Sequence, residues 1–218
     1  MKENIFIFLS LVLSFHHSFS QKKEHILFNG TNLLGWQKVG GDAPFDVEDN
    51  CIKLHQKANT NEHTFLRTDK RFKDFILELE CKRDAQFYYG ILFRAIDAPD
   101  TAHVRLYGYQ VKVDHDKTRK WTGAIFDDFG NTWKWLTTLK DSTQAQNALK
   151  NAGEWDKYKI EVFGNMIKVW LNGIQTANLI NDKYSEGYVA LKIHFLGNRP
   201  ENEKYSAQIK NIKIITNY

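Results

Sequence analysis

The sequence predicts an all-β protein, a two-sheet antiparallel β-sandwich of the jelly-roll type with one short helix. Three observations carry that reading. Short runs rich in β-branched and aromatic residues alternate apolar with polar along most of the chain. Turn pairs such as Asp49-Asn50, Gly164-Asn165, Asn172-Gly173 and Gly197-Asn198 separate them. Strands with only one apolar face need a second sheet to cover it. With 218 residues, 42% hydrophobic and 14% aromatic, the chain holds material for one sizeable core, so residues 21–218 are expected to form one domain.

In chain order, the first segment reads as a signal peptide over residues 1–20. Lys2 precedes the apolar run Ile5 to Phe15, and Ser18-Phe19-Ser20 supplies small residues before Gln21. The run is short for a membrane span and no second one follows, so the mature chain is expected to be exported, periplasmic or extracellular, without an integral membrane segment. Strands are expected at Phe45 to Val47, Ile52 to Leu54, Thr64 to Thr68, Phe75 to Lys82 and Tyr89 to Ala95. Further strands are expected at Tyr109 to Asp114, Tyr158 to Phe163, Met166 to Leu171, Tyr188 to His194 and Ala207 to Ile215. Phe163-Gly164-Asn165-Met166 reads as a hairpin turn. Ser142 to Asn151 reads as a helix capped by Asp141 or Ser142. His115 to Leu139 reads as a loop rich in aromatics. Trp36, Trp155 and Trp170 read as packing residues, and Glu78 and Glu80 as convex surface. Strand alternation turns Cys81 to the core and Cys51 to solvent, which argues against a disulfide.

Charge and motifs then narrow the function. The 30 basic and 26 acidic side chains give +4 but are interspersed, without the basic stripe that a nucleic-acid partner requires. There is no GxSxG elbow, HExxH pair, CxxC pair, Walker lysine loop or GxGxxG, so serine-hydrolase, zincin and nucleotide chemistries are set aside. Sorting the central strands by pleat places Ile91, Phe93, Val111, Val113, Leu191, Ile193 and Phe195 in the core. The same alternation turns Leu92, Arg94, Gln110, Lys112, Asp114, Lys192 and His194 outward. Trp121, Phe126, Phe129, Trp133 and Trp135, with Asp127 and Asp128 among them, would wall such a basin. Planar rings beside forked polar groups suit a sugar or glycoside.

The ordered series LFNGTNLLGW, FDVEDNCIKL, FLRTDKRFKDFILELE, YGILFR, YGYQVKVD, WTGAIFDD, GEWDKYKIEVFGNMIKVWLNG and GYVALKIH resembles the 3-keto-disaccharide hydrolase domain family over about Leu27 to Ile214. That resemblance implies a concanavalin-like jelly roll in an exported bacterial protein acting on glycosides whose sugar is already a 3-ketone. The ketone acidifies the C2 hydrogen, a base removes it, and the C1 substituent leaves by β-elimination, with water adding back. Such chemistry needs a base, a group facing the enolate oxygen and an acid for the leaving group. The resemblance makes Asp114, Asp127, His194 and Arg94 the catalytic candidates, with Arg94 or Lys112 offsetting the negative charge. Gln110, Lys112, Lys192, Trp121, Trp133, Trp135 and Asp128 are the substrate-binding candidates. A divalent metal ion held by carboxylates and His194 is a further option for the enolate.

Four runs depart from the family pattern. Lys112 stands for a glutamate, Lys192 and Leu92 for glutamines, and Phe126-Asp127-Asp128 for YDE. Two readings stay open. An enzyme requires Asp114, Asp127 and His194 to converge near Arg94. A non-catalytic, lectin-like carbohydrate-binding domain requires only an open aromatic groove.

Overall fold

The computed structural model describes residues 22–87, 89–98, 105–114, 118–129 and 132–216, without the side chains of Thr132 and Trp133. The proposed signal peptide therefore lies outside the described residues, as does the side chain of Trp133. The first strands are β1 (Lys23–Ile26), β2 (Trp36–Gly40), β3 (Phe45–Glu48), β4 (Cys51–His55) and β5 (Thr64–Thr68). Next come β6 (Phe75–Arg83), β7 (Tyr89–Asp97), β8 (Leu106–Val113), β9 (Ile125–Phe129) and β10 (Thr132–Trp135). After the one-turn helix α1 (Thr143–Gln146) follow β11 (Trp155–Phe163), β12 (Met166–Leu171), β13 (Ile174–Ile180), β14 (Tyr188–Ile193) and β15 (Ser206–Thr216).

They form two antiparallel sheets. The first runs β13-β12-β11-β6-β15-β4-β3, with β1 against the far end of β15; the second runs β10-β9-β8-β7-β14-β5-β2. The core lies between them. Along β6, Phe75, Leu77, Leu79 and Cys81 are buried in it while Ile76, Glu78, Glu80 and Lys82 face away, and β11 buries Tyr158, Ile160 and Val162 opposite them. The β11–β12 hairpin pairs Phe163 with Met166 across Gly164, whose φ of 56° is the left-handed backbone that glycine tolerates.

Several expectations need correction. The segment read as a loop contains the hairpin β9–β10, and β1, β2 and β13 escaped the alternation pattern. In β9 (IFDDF), two adjacent carboxylates hide the alternation; β13 sits across a register shift at Val169/Trp170. The helix is one turn long rather than ten residues. Ser142 caps it by accepting from the Ala145 N–H, but the Asn172 amide donates to the Ala148 carbonyl, and Asp156 accepts from the Lys150 N–H. These side chains hold the following segment outside the helix, and Ala148 and Leu149 drop into the core. Both thiols are free. Cys81 is in the core, and Cys51, expected in solvent, is buried with its Sγ donating to the Asp49 carbonyl at 3.3 Å. Phe195 is 42% exposed rather than core, because β14 ends at Ile193 and its pleat stops with it. Trp36 is buried as expected, whereas Trp155 and Trp170 sit on the outer face of the first sheet beneath lysines.

Candidate functional site

The outer face of the second sheet carries a cavity of about 470 Å³. Its floor is set by strand register. Lys112 on β8 pairs with Gly90 on β7, and Gly90 pairs with Lys192 on β14. Three adjacent strands therefore place the two lysines about 10 Å apart, with a glycine between them. The absent side chain matters, since a Cβ on Gly90 would sit 2.5 Å from Cδ of Gln110. Gln110 thus lies over the glycine; it lines the cavity, it is buried, and its Oε1 has no partner among the described residues.

Ionic contacts organise the rest of the floor. Lys192 and Asp128, each with a side chain 2% exposed, meet at 2.5 Å, and Arg105 approaches the other Asp128 oxygen at 3.4 Å. Lys112 Nζ lies 3.1 Å from His194 Nε2. The His194 ring meets His63 edge-on at a centroid distance of 5.0 Å, and His63 Nδ1 accepts from the Phe195 N–H. On the aromatic side, Trp121 and Trp135 lie 5.3 Å apart and Phe126 meets Trp135 edge-on. Both tryptophans are partly exposed, as a stacking wall requires.

This floor is electropositive. Among the described residues, Arg105, Lys112, Arg119, Lys192 and Arg199 line it against one carboxylate, Asp128. Burial, reinforced by the Lys192 charge, lowers Lys112 to about 8, although Asp114 and Asp128 oppose the shift. Burial likewise pushes His194 well below the ordinary imidazole range, with Lys112 and Lys192 adding to it, and takes His63 to about 2. Both imidazoles are consequently neutral at physiological pH. His194 Nε2 then accepts a hydrogen bond from the Lys112 ammonium.

The structure brings Gln110, Lys112, Asp128, Lys192, His194, Trp121 and Trp135 together around one cavity. Two expected catalytic residues lie elsewhere. Arg94 sits in a β-bulge where the β7–β8 register shifts between Phe93 and Ile96, and its φ is 46°. The extra residue reverses the pleat. The guanidinium therefore leaves the basin and donates to the carbonyls of Lys73, Gly164 and Tyr184 and to Asp74. Asp127 points to the opposite face of β9 from Phe126 and Asp128, accepting from Lys183 at 2.6 Å and from the Tyr184 hydroxyl at 2.9 Å. Asp114 is fully buried beside the floor, where Arg119 reaches it at 3.4 Å and its N–H donates to Thr122 Oγ1. The expected convergence of Asp114, Asp127 and His194 near Arg94 is not what the fold builds.

The cavity also includes residues passed over in the sequence. His63 shares the outward pleat of Phe65, a signal readable once β5 is placed beside β14. Arg105 and Arg119 lie outside regular strands, where no periodicity marks them. Among the described residues the donor set does not suit a divalent cation. His194 Nε2 faces an ammonium, Asp128 faces Lys192 and Arg105, and among the described residues no three His, Cys, Asp or Glu side chains converge.

A jelly roll with a polar, aromatic-walled basin on one sheet defines the class, a galectin-like sandwich. The chain belongs to the 3-keto-alpha-glucoside-1,2-lyase-like domain family, whose model matches residues 24–215. A candidate glycosyl hydrolase from Parabacteroides distasonis ATCC 8503 is 19% identical, with TM-score 0.61 over 88% of this chain and 92% of that one. A carbohydrate-binding module from Bacillus subtilis is 15% identical, with TM-score 0.58 over 82% and 94%. A Bacillus subtilis protein of unknown function with a galectin-like fold is 11% identical, with TM-score 0.56 over 89% and 95%. At these identities the three structures share the fold. No curated protein matches the sequence.

Proposed function

We propose that this chain is an exported enzyme that cleaves 3-keto glycosides, expelling the C1 substituent by β-elimination and adding water in its place. The observation that carries the reading is the contact between neutral His194 and Lys112 on a cation-rich floor, in a chain of this family. A ketone oxygen over that floor faces Lys112, and Lys192 adds positive charge, so an enolate forming there is stabilised electrostatically. His194 takes the C2 proton or relays it through Lys112, and the resulting cation returns it to the leaving oxygen. Trp121 and Trp135 stack on the sugar ring, and the open Gln110 Oε1 accepts from a sugar hydroxyl. Arg94 and Asp127 act as structural groups, and Asp114 acts through Arg119 and its charge.

The second reading, a carbohydrate-binding domain, draws on the fold shared with the Bacillus subtilis module and on Lys112 standing where the family carries a glutamate. Both are tested by supplying residues 21–218 with a 3-keto glucoside bearing a chromogenic aglycone, with and without EDTA. We expect release that EDTA does not abolish and that falls at least about 100-fold in His194→Gln. Binding of the sugar without release under any condition would instead establish the binding domain. Export is tested by the N-terminus of the secreted protein, expected at Gln21.

A further inference from the structure

We infer that Lys112 is a nucleophilic amine that captures the ketone of its substrate as a covalent Schiff base. This rests on the 3-keto reading above and replaces a purely electrostatic role for Lys112 by a bond.

Geometry separates the two floor lysines. Both lysines line the cavity, but Lys192 is 2% exposed and held at 2.5 Å by Asp128, whereas Lys112 is less buried and its Nζ lies against an imidazole. A neutral imidazole at 3.1 Å orients the Lys112 nitrogen toward the cavity. The register places Gly90 beside Lys112, so no side chain rises from the neighbouring strand position. Gln110, which covers that glycine, offers a buried Oε1 without a partner among the described residues to a hydroxyl formed beside Lys112.

The electrostatic surroundings act in the same direction. Among the described residues, Lys112 is faced by Lys192 and His194 from the β14 side, Asp128 from β9, Asp114 and Arg119 just beyond β8, Arg105 before β8 and His63 before β5. Burial and the Lys192 charge prevail, and at about 8 roughly a tenth of Lys112 is free amine at pH 7. Desolvation beside a second cation is an established way to activate a lysine toward carbonyls.

The steps balance. The Nζ lone pair adds to C3, and the carbonyl oxygen takes one proton from that nitrogen and a second from solvent and leaves as water, giving a ketiminium. Loss of the C2 proton to the His194 side yields an enamine, whose electrons expel the C1 substituent with a proton. Water then adds across C1 and C2, and a further water hydrolyses the ketiminium, freeing Lys112. One water is consumed overall.

The test treats the purified 21–218 protein with the chromogenic 3-keto glucoside in the presence of sodium cyanoborohydride, followed by intact-mass measurement and peptide mapping. The expected result is a single reduced sugar adduct on Lys112. It should vanish in Lys112→Arg, whose turnover drops at least about 100-fold although the charge is kept. Wild-type turnover should rise with pH through about 8. Turnover without an adduct, an adduct on Lys192, or full activity in Lys112→Arg would each overturn the Schiff base while leaving the 3-keto reading intact. Neither turnover nor adduct nor binding would overturn both.

Discussion

The two outer faces of the sandwich carry the same residue types to opposite ends. On the first sheet, Glu78 meets Lys213 at 3.2 Å, Glu80 lies 3.9 Å from both Lys157 and Lys210, and Lys159 meets Glu161 at 2.6 Å, all with water around them. Hydrogen bonds from Lys213 to Glu24 and Glu78 raise its pKa. On the second sheet, Lys112 and Lys192 occupy equivalent outward positions, yet burial lowers both. Alternation alone therefore distinguishes inside from outside, whereas segments such as 118–122 and 194–199, which line the cavity's edge, turn an outside face into a site.

The contrast can be broken in decreasing steps. The largest effect should be on turnover. Lys112→Arg or His194→Gln is expected to lose at least about 100-fold, while Lys159→Arg on the opposite face leaves the rate unchanged, as read by aglycone release. Stability comes next. Lys192→Met strands Asp128 with only the longer Arg105 contact and should cost about 3 kcal/mol in urea unfolding, whereas Lys192→Met with Asp128→Leu recovers most of it. Trp121→Ala or Trp135→Ala should raise KM about tenfold, the loss expected for one stacking ring, with kcat changed little.

Smaller again is a pH effect on stability. The folded-state value of Lys112, about 8, lies below that of an unfolded lysine, so between the two values the unfolded chain holds more protons and stability rises with pH. Lys112→Met should therefore be more stable than wild type at pH 7, with the gain shrinking as pH rises past 8, as measured by unfolding at several pH values. Lys213→Met should change stability least, by under about 1 kcal/mol, since its partners are exposed.

Much of this was legible in the sequence. The strict alternation of β6, β11 and β12 marked those strands, and the pleat of β8 and β14 placed Gln110, Lys112 and Lys192 on one face. What failed did so locally. A single inserted residue at the β7 bulge reversed Arg94, and only register across two neighbouring strands reveals it. Asp127 and Asp128 looked equivalent in a loop; in a strand they point opposite ways. His63 gained meaning only from β14, a neighbour more than a hundred residues away.

The Arg94 guanidinium also bears on kinetics. Its carbonyl acceptors lie 21, 70 and 90 residues along the chain, on both sides of the sandwich edge. It cannot be fully satisfied until the β11–β12 hairpin and the segment before β14 have docked, so its bonds are expected to form late on the folding route. Arg94→Met should leave the refolding limb of a chevron nearly unchanged and steepen the loss through faster unfolding. The residue that the family resemblance assigned to chemistry would then govern how long the native state persists.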